Sequence, residues 1–166
     1  IDWINQLSNT GIPYIEITSF VPSSWIPQLA DALEVAQGIT RLDGVTYAAL
    51  VPNQKGLETA LEANIDEVSL FMSASESHNK KHINKTITET FPIMKAVAKE
   101  SLQAGKRVRA YVSTAFGCPY EGAVSIDSVL KICDRLLTDG AYEISLGDTI
   151  GVANPVQVEV VLTEVL

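Results

Sequence analysis

With 166 residues, 46% of them hydrophobic, and a mean hydropathy of +0.16, the chain can bury a substantial core and reads as one domain or a piece of one. A formal charge of −8 argues against general affinity for nucleic acid or an anionic membrane, since both need a basic face to displace counterions. Two cysteines, Cys118 and Cys133, make no disulfide framework and point to a reducing cytoplasm, and no apolar run approaches membrane-spanning length.

Residues 1–7 look like the middle of an amphipathic helix, without an initiating methionine or a signal-peptide pattern, so the chain is expected to be cut at this end. Thr10-Gly11 closes that helix, and residues 14–20 (YIEITSF) follow as a β-branched and aromatic run with one carboxylate, Glu16, inside it. Residues 25–38 carry apolar positions at helical spacing and stop at Gly38. A strand over 45–51 ends at Pro52-Asn53. A helix over 54–63 leads to a strand over 67–72, and a polar string, 73–78, comes next. A longer helix from Thr86 to Ala104 stops at Gly105. The strand 107–116 and the loop 117–122 precede a helix from Ser125, a plausible N-cap, to Asp139, with Gly140 as its stop. A last strand runs into Gly147-Asp148-Thr149-Ile150-Gly151, and Asn154-Pro155 opens a final helix.

Five strands thus alternate with six helices, the pattern of a parallel sheet built from right-handed crossovers. The doubly wound open sheet and the (β/α)8 TIM barrel both fit. Two features favour the barrel: no G-x-G-x-x-G turn follows any strand, and polar residues collect at the C-terminal end of every strand. A closed barrel needs about eight such units, so residues 1–166 are expected to be a partial barrel lacking both ends, running from its second strand to its sixth helix.

Several groups suit chemistry. Glu16 interrupts an apolar strand, and a carboxylate there must face cations, donors or a wet cavity. It either lines the barrel mouth near a metal or an arginine, or it is a structural ion pair. Arg109, Tyr111 and Ser113 share one strand face by the period-two rule, and the first two make a seat for a substrate carboxylate unless Arg109 lies at the solvated base. Ser145 points the same way in the last strand. Asp148 lies in the loop after that strand, where barrel enzymes gather reactive groups. Residues 77–86 form the only basic cluster. Its lysines beside free backbone N–H groups suit phosphates, and a solvated loop with an ordinary cap is the alternative. His78 and His82 have the i, i+4 spacing of a two-histidine metal face, but no HExxH pattern or nearby cysteine supports one. Cys118 reads as buried and inert, Cys133 as core, and Trp3, Trp25, Met72 and Met94 as packing.

Four stretches, 14–20 (YIEITSF), 71–76 (FMSASE), 108–122 (VRAYVSTAFGCPYEG) and 143–151 (EISLGDTIG), together resemble 3-hydroxy-3-methylglutaryl-CoA lyases of bacterial type, along essentially the whole chain. The resemblance implies a metal-dependent TIM barrel that cleaves hydroxymethylglutaryl-CoA to acetyl-CoA and acetoacetate with Mg²⁺ or Mn²⁺, in leucine breakdown or ketone-body formation, as a cytoplasmic homodimer. It implies catalytic roles for Glu16 and Asp148, and substrate contacts from Ser19, Arg109, Tyr111 and Ser145. CoA contacts are implied for Lys81, His82, Asn84 and Thr86, although His82 stands where relatives often have asparagine. The family's arginine-aspartate-glycine motif, its histidine-x-histidine pair and its later cysteine loop do not occur. No metal ligand is therefore expected here, and the 166 residues alone should be inactive. Isopropylmalate and homocitrate synthases share the barrel and the aspartate-threonine pair, but not GCPYEG or SLGDTIG in these forms. An acyl-CoA-condensing enzyme, or a non-catalytic CoA-binding fragment, is the alternative.

Overall fold

The computed structural model describes residues 1–166. The first half runs α1 (Asp2–Ser8), β1 (Tyr14–Ser19), α2 (Ala32–Gly38), β2 (Thr46–Leu50), α3 (Gln54–Glu62) and β3 (Glu67–Ser73). The second half runs α4 (Glu76–Ile83), α5 (Ile87–Gln103), β4 (Arg107–Ser113), α6 (Ile126–Thr138), β5 (Glu143–Leu146) and α7 (Pro155–Val165). The five strands lie side by side in sequence order and every neighbouring pair is parallel. Strand order equal to chain order, with a helix returning each time, is the wall of a barrel.

The faces of the sheet decide between barrel and open sheet. Val68, Leu70 and Met72 in β3, and Val108, Ala110 and Val112 in β4, belong to one core of 32 buried residues shared with the helices. Their period-two alternates, Glu67, Ser69, Phe71 and Ser73, then Arg107, Arg109, Tyr111 and Ser113, occupy the opposite face, polar except for Phe71 and outside that set of buried residues. A doubly wound sheet covers both faces with helices and reads as continuous hydrophobic strands. One apolar face and one polar face instead make this sheet an arc of a (β/α)8 barrel, with the polar face inward.

Most helix ends follow local chemistry. Asn53, Ser125 and Asn154 each accept the N–H three residues on, while Thr86 and Glu89 form a reciprocal capping box. Gly105 and Gly140 leave α5 and α6 with φ of 74° and 111°, a conformation that needs no Cβ. Two expectations are corrected. Residues 25–38 are not one helix: a 3-10 turn over Pro27–Leu29 closes first and α2 begins at Ala32. Residues 77–83 are not a loop but most of α4, making seven α-helices instead of six. Met72, Met94 and Cys133 are core, whereas Trp3 is 75% and Trp25 48% exposed, on segments whose outer side nothing covers.

Candidate functional site

The inner face carries a polar network that rises from the base of the strands to their C-terminal rim. At its upper end the Tyr111 hydroxyl donates to Glu16 Oε2 at 3.1 Å, joining β4 to β1 across residues 95 apart in sequence. Burial, then the Glu16 charge, raises the Tyr111 pKa far above its ordinary value, so the phenol stays protonated and serves as a donor. Ser145 is the register neighbour of Tyr111 on β5, on the same face.

Ser19 reaches this face by a route the sequence does not show. Strict alternation would send Glu16 and Ser19 to opposite faces, because they are an odd number of residues apart. The β1–β2 register shifts between Glu16 and Thr18, so Glu16 pairs with Ala48 and Ser19 with Leu50, both inward positions of β2. The irregularity flips the end of β1, as bulges do beside sites. The Ser19 hydroxyl is buried there with no protein partner, a polar atom facing the mouth.

Arg109 is not the open seat for a carboxylate that the sequence reading offers. Its Nη2 binds Glu143 Oε1 at 2.9 Å, and its guanidinium carbon lies 5.2 Å from the Tyr14 ring centroid and 5.3 Å from that of Tyr111. The cation therefore props Tyr111 from below. Deeper still, Glu67 is fully buried, with Oε2 taken by Arg107 at 3.1 Å and by the Tyr142 hydroxyl at 2.8 Å. Burial and that carboxylate push the Tyr142 pKa up to about 12.

Asp148 sits on the exposed turn after β5 and accepts the N–H groups of Val152 and Ala153, both at 3.0 Å, one on each carboxylate oxygen. Those bonds fix the turn but leave no contact with Glu16. The turn is also tied inward: the Thr114 N–H donates to Thr149 Oγ1 at 2.8 Å, and the Ala115 N–H to the Gly147 carbonyl at 3.1 Å. The sequence reading missed Thr114, and nothing in a threonine inside a strand-like run marks it.

The basic segment lies apart from this network. Lys80 pairs with Glu76 at 3.4 Å, and Lys81 Nζ sits 4.2 Å from the Tyr120 ring centroid. His78 and His82 stack with centroids 4.0 Å apart, and burial followed by the charge of His82 lowers the His78 pKa. Asn84 ends α4 in the left-handed region at φ 58°, while Thr86 caps α5. The N–H groups expected to be free for a phosphate are occupied: Glu89 takes that of Thr86 and Glu76 that of Ile87. Cys118 is buried, 2.9 Å from Ser75 Oγ. Burial alone would raise its pKa, but the Ser75 hydroxyl and the N–H groups of Tyr120 and Glu121 outweigh it and the net shift is downward.

No three His, Cys, Asp or Glu side chains are grouped to hold a metal ion. With both Asp148 oxygens on amides and one Glu16 oxygen on Tyr111, the residues present do not fit a divalent-cation site. A cavity of about 470 Å³ opens at the same rim between Phe20–Ser24 and the start of α3, with Asn53 and Lys55 in its wall. None of Glu16, Tyr111, Ser145 or Asp148 lines it.

Fold and mouth together define part of a TIM-barrel protein whose inner face is polar and whose rim carries carboxylates. The chain belongs to the HMGL-like family, whose model matches residues 1–166. It is 58% identical over its whole length to the hydroxymethylglutaryl-CoA lyase YngG of Bacillus subtilis, of which it covers 56%. The cytoplasmic 3-hydroxy-3-methylglutaryl-CoA lyase of Rattus norvegicus is 46% identical over the whole chain, which covers 48% of it. A mitochondrial lyase of the same animal is 46% identical too. The chain thus spans about half the length of these curated relatives. Among solved structures, the lyase from Bacillus subtilis superposes with a TM-score of 0.97 at 58% identity, covering 99% of this chain and 55% of that one. An Acinetobacter baumannii lyase in complex with coenzyme A and 3-methylmalate gives 0.96 at 42% identity, covering 100% of this chain and 54% of its own.

Proposed function

We propose that the intact protein containing these residues is a carbon-carbon lyase that cleaves 3-hydroxy-3-methylglutaryl-CoA to acetyl-CoA and acetoacetate. The observation that carries this is 58% identity over all 166 residues to a relative with that name. Such a cleavage removes the proton of a tertiary hydroxyl, breaks the adjacent C–C bond and protonates the thioester enolate. In this reading Glu16, held by Tyr111, orients the reacting groups at the mouth. Ser19 and Ser145 present hydroxyls to the acyl portion, and Asp148 meets it from the rim. Arg109 acts through Tyr111, since Glu143 already takes its charge. Lys81 and His82 remain the candidates for CoA contact, whereas Asn84 and Thr86 hold the ends of their helices. A divalent cation, Mg²⁺ or Mn²⁺, would need its ligands from outside residues 1–166. No helix is long and apolar enough to cross a membrane, and the named relatives include cytoplasmic and mitochondrial forms; the cytoplasm is our proposal, supported by two cysteines that are both free thiols.

The test is an acetoacetate-release assay on the intact gene product, run beside an acyl-CoA condensation assay. Glu16→Ala and Asp148→Ala should each lower cleavage at least tenfold. Turnover untouched in both, or condensation without cleavage, overturns the assignment.

A further inference from the structure

Only three non-glycine residues take positive φ: Asn64 and Asn84, where the short amide side chain tolerates it, and Thr114 at φ 59°. A β-branched side chain in the left-handed region is a true outlier, and such strain persists only where the surroundings over-determine it. Thr114 is fully buried, immediately after β4, and its surroundings do so. Its hydroxyl lies 2.7 Å from the Ser113 carbonyl and 2.6 Å from Ser73 Oγ, while the Ser75 N–H donates to Ser73 Oγ at 3.2 Å. Ser73 Oγ also lies 3.5 Å from the Ser113 carbonyl, so the two hydroxyls and that carbonyl close a hydrogen-bonded triangle in which either hydroxyl can donate to the other. The Thr114 N–H, in the peptide plane that Ser113 sets, meets Thr149 Oγ1 in the loop after β5, and the left-handed backbone at 114 turns the next peptide so that the Ala115 N–H reaches the Gly147 carbonyl at 3.1 Å. One residue therefore ties the end of β3 to the loops that follow β4 and β5.

We propose that Thr114 is a positioning residue: its strained backbone, locked by the Ser73 hydroxyl, holds the Gly147-Asp148-Thr149 turn and so sets where Asp148 stands at the mouth. This rests on the role given to Asp148 above. Losing the hydroxyl lets residue 114 relax toward the extended region, swings the Ala115 N–H away from the Gly147 carbonyl and frees the turn. The effect falls on the position of a reacting group more than on substrate affinity, so kcat should move and KM should not.

The experiment compares Thr114→Ala, Thr114→Ser, Ser73→Ala and Asp148→Asn in the intact gene product, with kcat, KM and the thermal midpoint of each. The expected result is a kcat at least about tenfold lower in Thr114→Ala with KM within twofold, recovery to within about threefold in Thr114→Ser, and a smaller fall of kcat alone in Ser73→Ala. Unchanged kcat in folded Thr114→Ala overturns the proposal, as does equal impairment of the alanine and serine variants. If Thr114→Ala does not fold, Ser73→Ala decides, and an unchanged kcat there overturns it equally. Asp148→Asn separates the two levels. If it is fully active, the reading of Asp148 falls; if it is inactive while the Thr114 and Ser73 variants turn over normally, only the positioning role falls.

Discussion

The bond between Tyr111 and Glu16 is the strand-to-strand contact on which the mouth depends, and Tyr111→Phe removes it with one oxygen atom. The ring stays, so its packing against the Arg109 guanidinium, 5.3 Å from the centroid, survives. What is lost is a 3.1 Å hydrogen bond from a neutral donor to a carboxylate. Bonds to charged groups contribute about 1.5–3 kcal/mol when buried. Both residues are partly open to solvent, which reduces this to about 1–2 kcal/mol. At 1.4 kcal/mol per factor of ten, kcat/KM for thioester cleavage by the intact gene product should fall by about 5- to 30-fold. The acceptor's charge is the source of that strength, so in a Glu16→Gln background the same substitution should cost less than about threefold. Steady-state kinetics of the four proteins give the cycle. Equal penalties in both backgrounds, or a Tyr111→Phe enzyme within twofold of the parent, would refute the reasoning.

Three further outcomes are expected. Gly56→Ala should destabilise by about 1 kcal/mol or more despite alanine's better helix propensity, because its Cβ would lie 2.8 Å from the Phe20 carbonyl oxygen, a backbone atom with no room to yield; a higher urea midpoint would contradict this. The His78 pKa is lowered below its ordinary value of 6.5, so the unfolded chain binds that proton more readily. The stability it contributes is whole above pH 6.5 and drains away as pH falls through the lower folded value. Urea midpoints between pH 7 and pH 5 should therefore fall less steeply in His78→Gln than in the parent, and parallel curves would sink the idea. Calorimetric titration of the 166-residue polypeptide with Mg²⁺ or Mn²⁺ should show no tight site, since no cluster of three ligand side chains exists; micromolar binding at one ion per chain would reverse that accounting.

The sequence shows the barrel wall because its signals are local and agree with one another. Strand-helix alternation, the caps at Asn53, Thr86, Ser125 and Asn154, and the glycine stops at 105 and 140 each act within a few residues. Glu16, Tyr111 and Ser145 were legible for a related reason: a polar residue in an apolar strand must face something polar, and period two says which others face it. What escaped was non-local. The register slip that turns Ser19 inward depends on β2. The Arg109 charge is taken by Glu143, one strand away, and the strain at Thr114 is imposed by the loops on either side. The helix α4 escaped for another reason. Glu76–Ile83 has no apolar stripe, so its helicity comes from the Ser75 cap and from anchorage, not from a face that buries itself.

The polar centre of that anchorage is one amide. The fully buried Asn79 accepts the Ser73 N–H at 3.0 Å and donates to the Lys85 carbonyl at 2.9 Å and to Thr90 Oγ1 at 2.8 Å, riveting α4 to the end of β3 and the start of α5. With Ile83 in the core and His78 buried beside it, the inner side of the helix is fixed, and its outward positions carry little packing. Lys80, Lys81 and His82 are exposed and touch Glu76, Tyr120 and His78, so they can change in charge and shape while the barrel beneath them stays unaltered. Evolution could retune this lip of the mouth for new molecules at little risk to folding, so long as the asparagine survives.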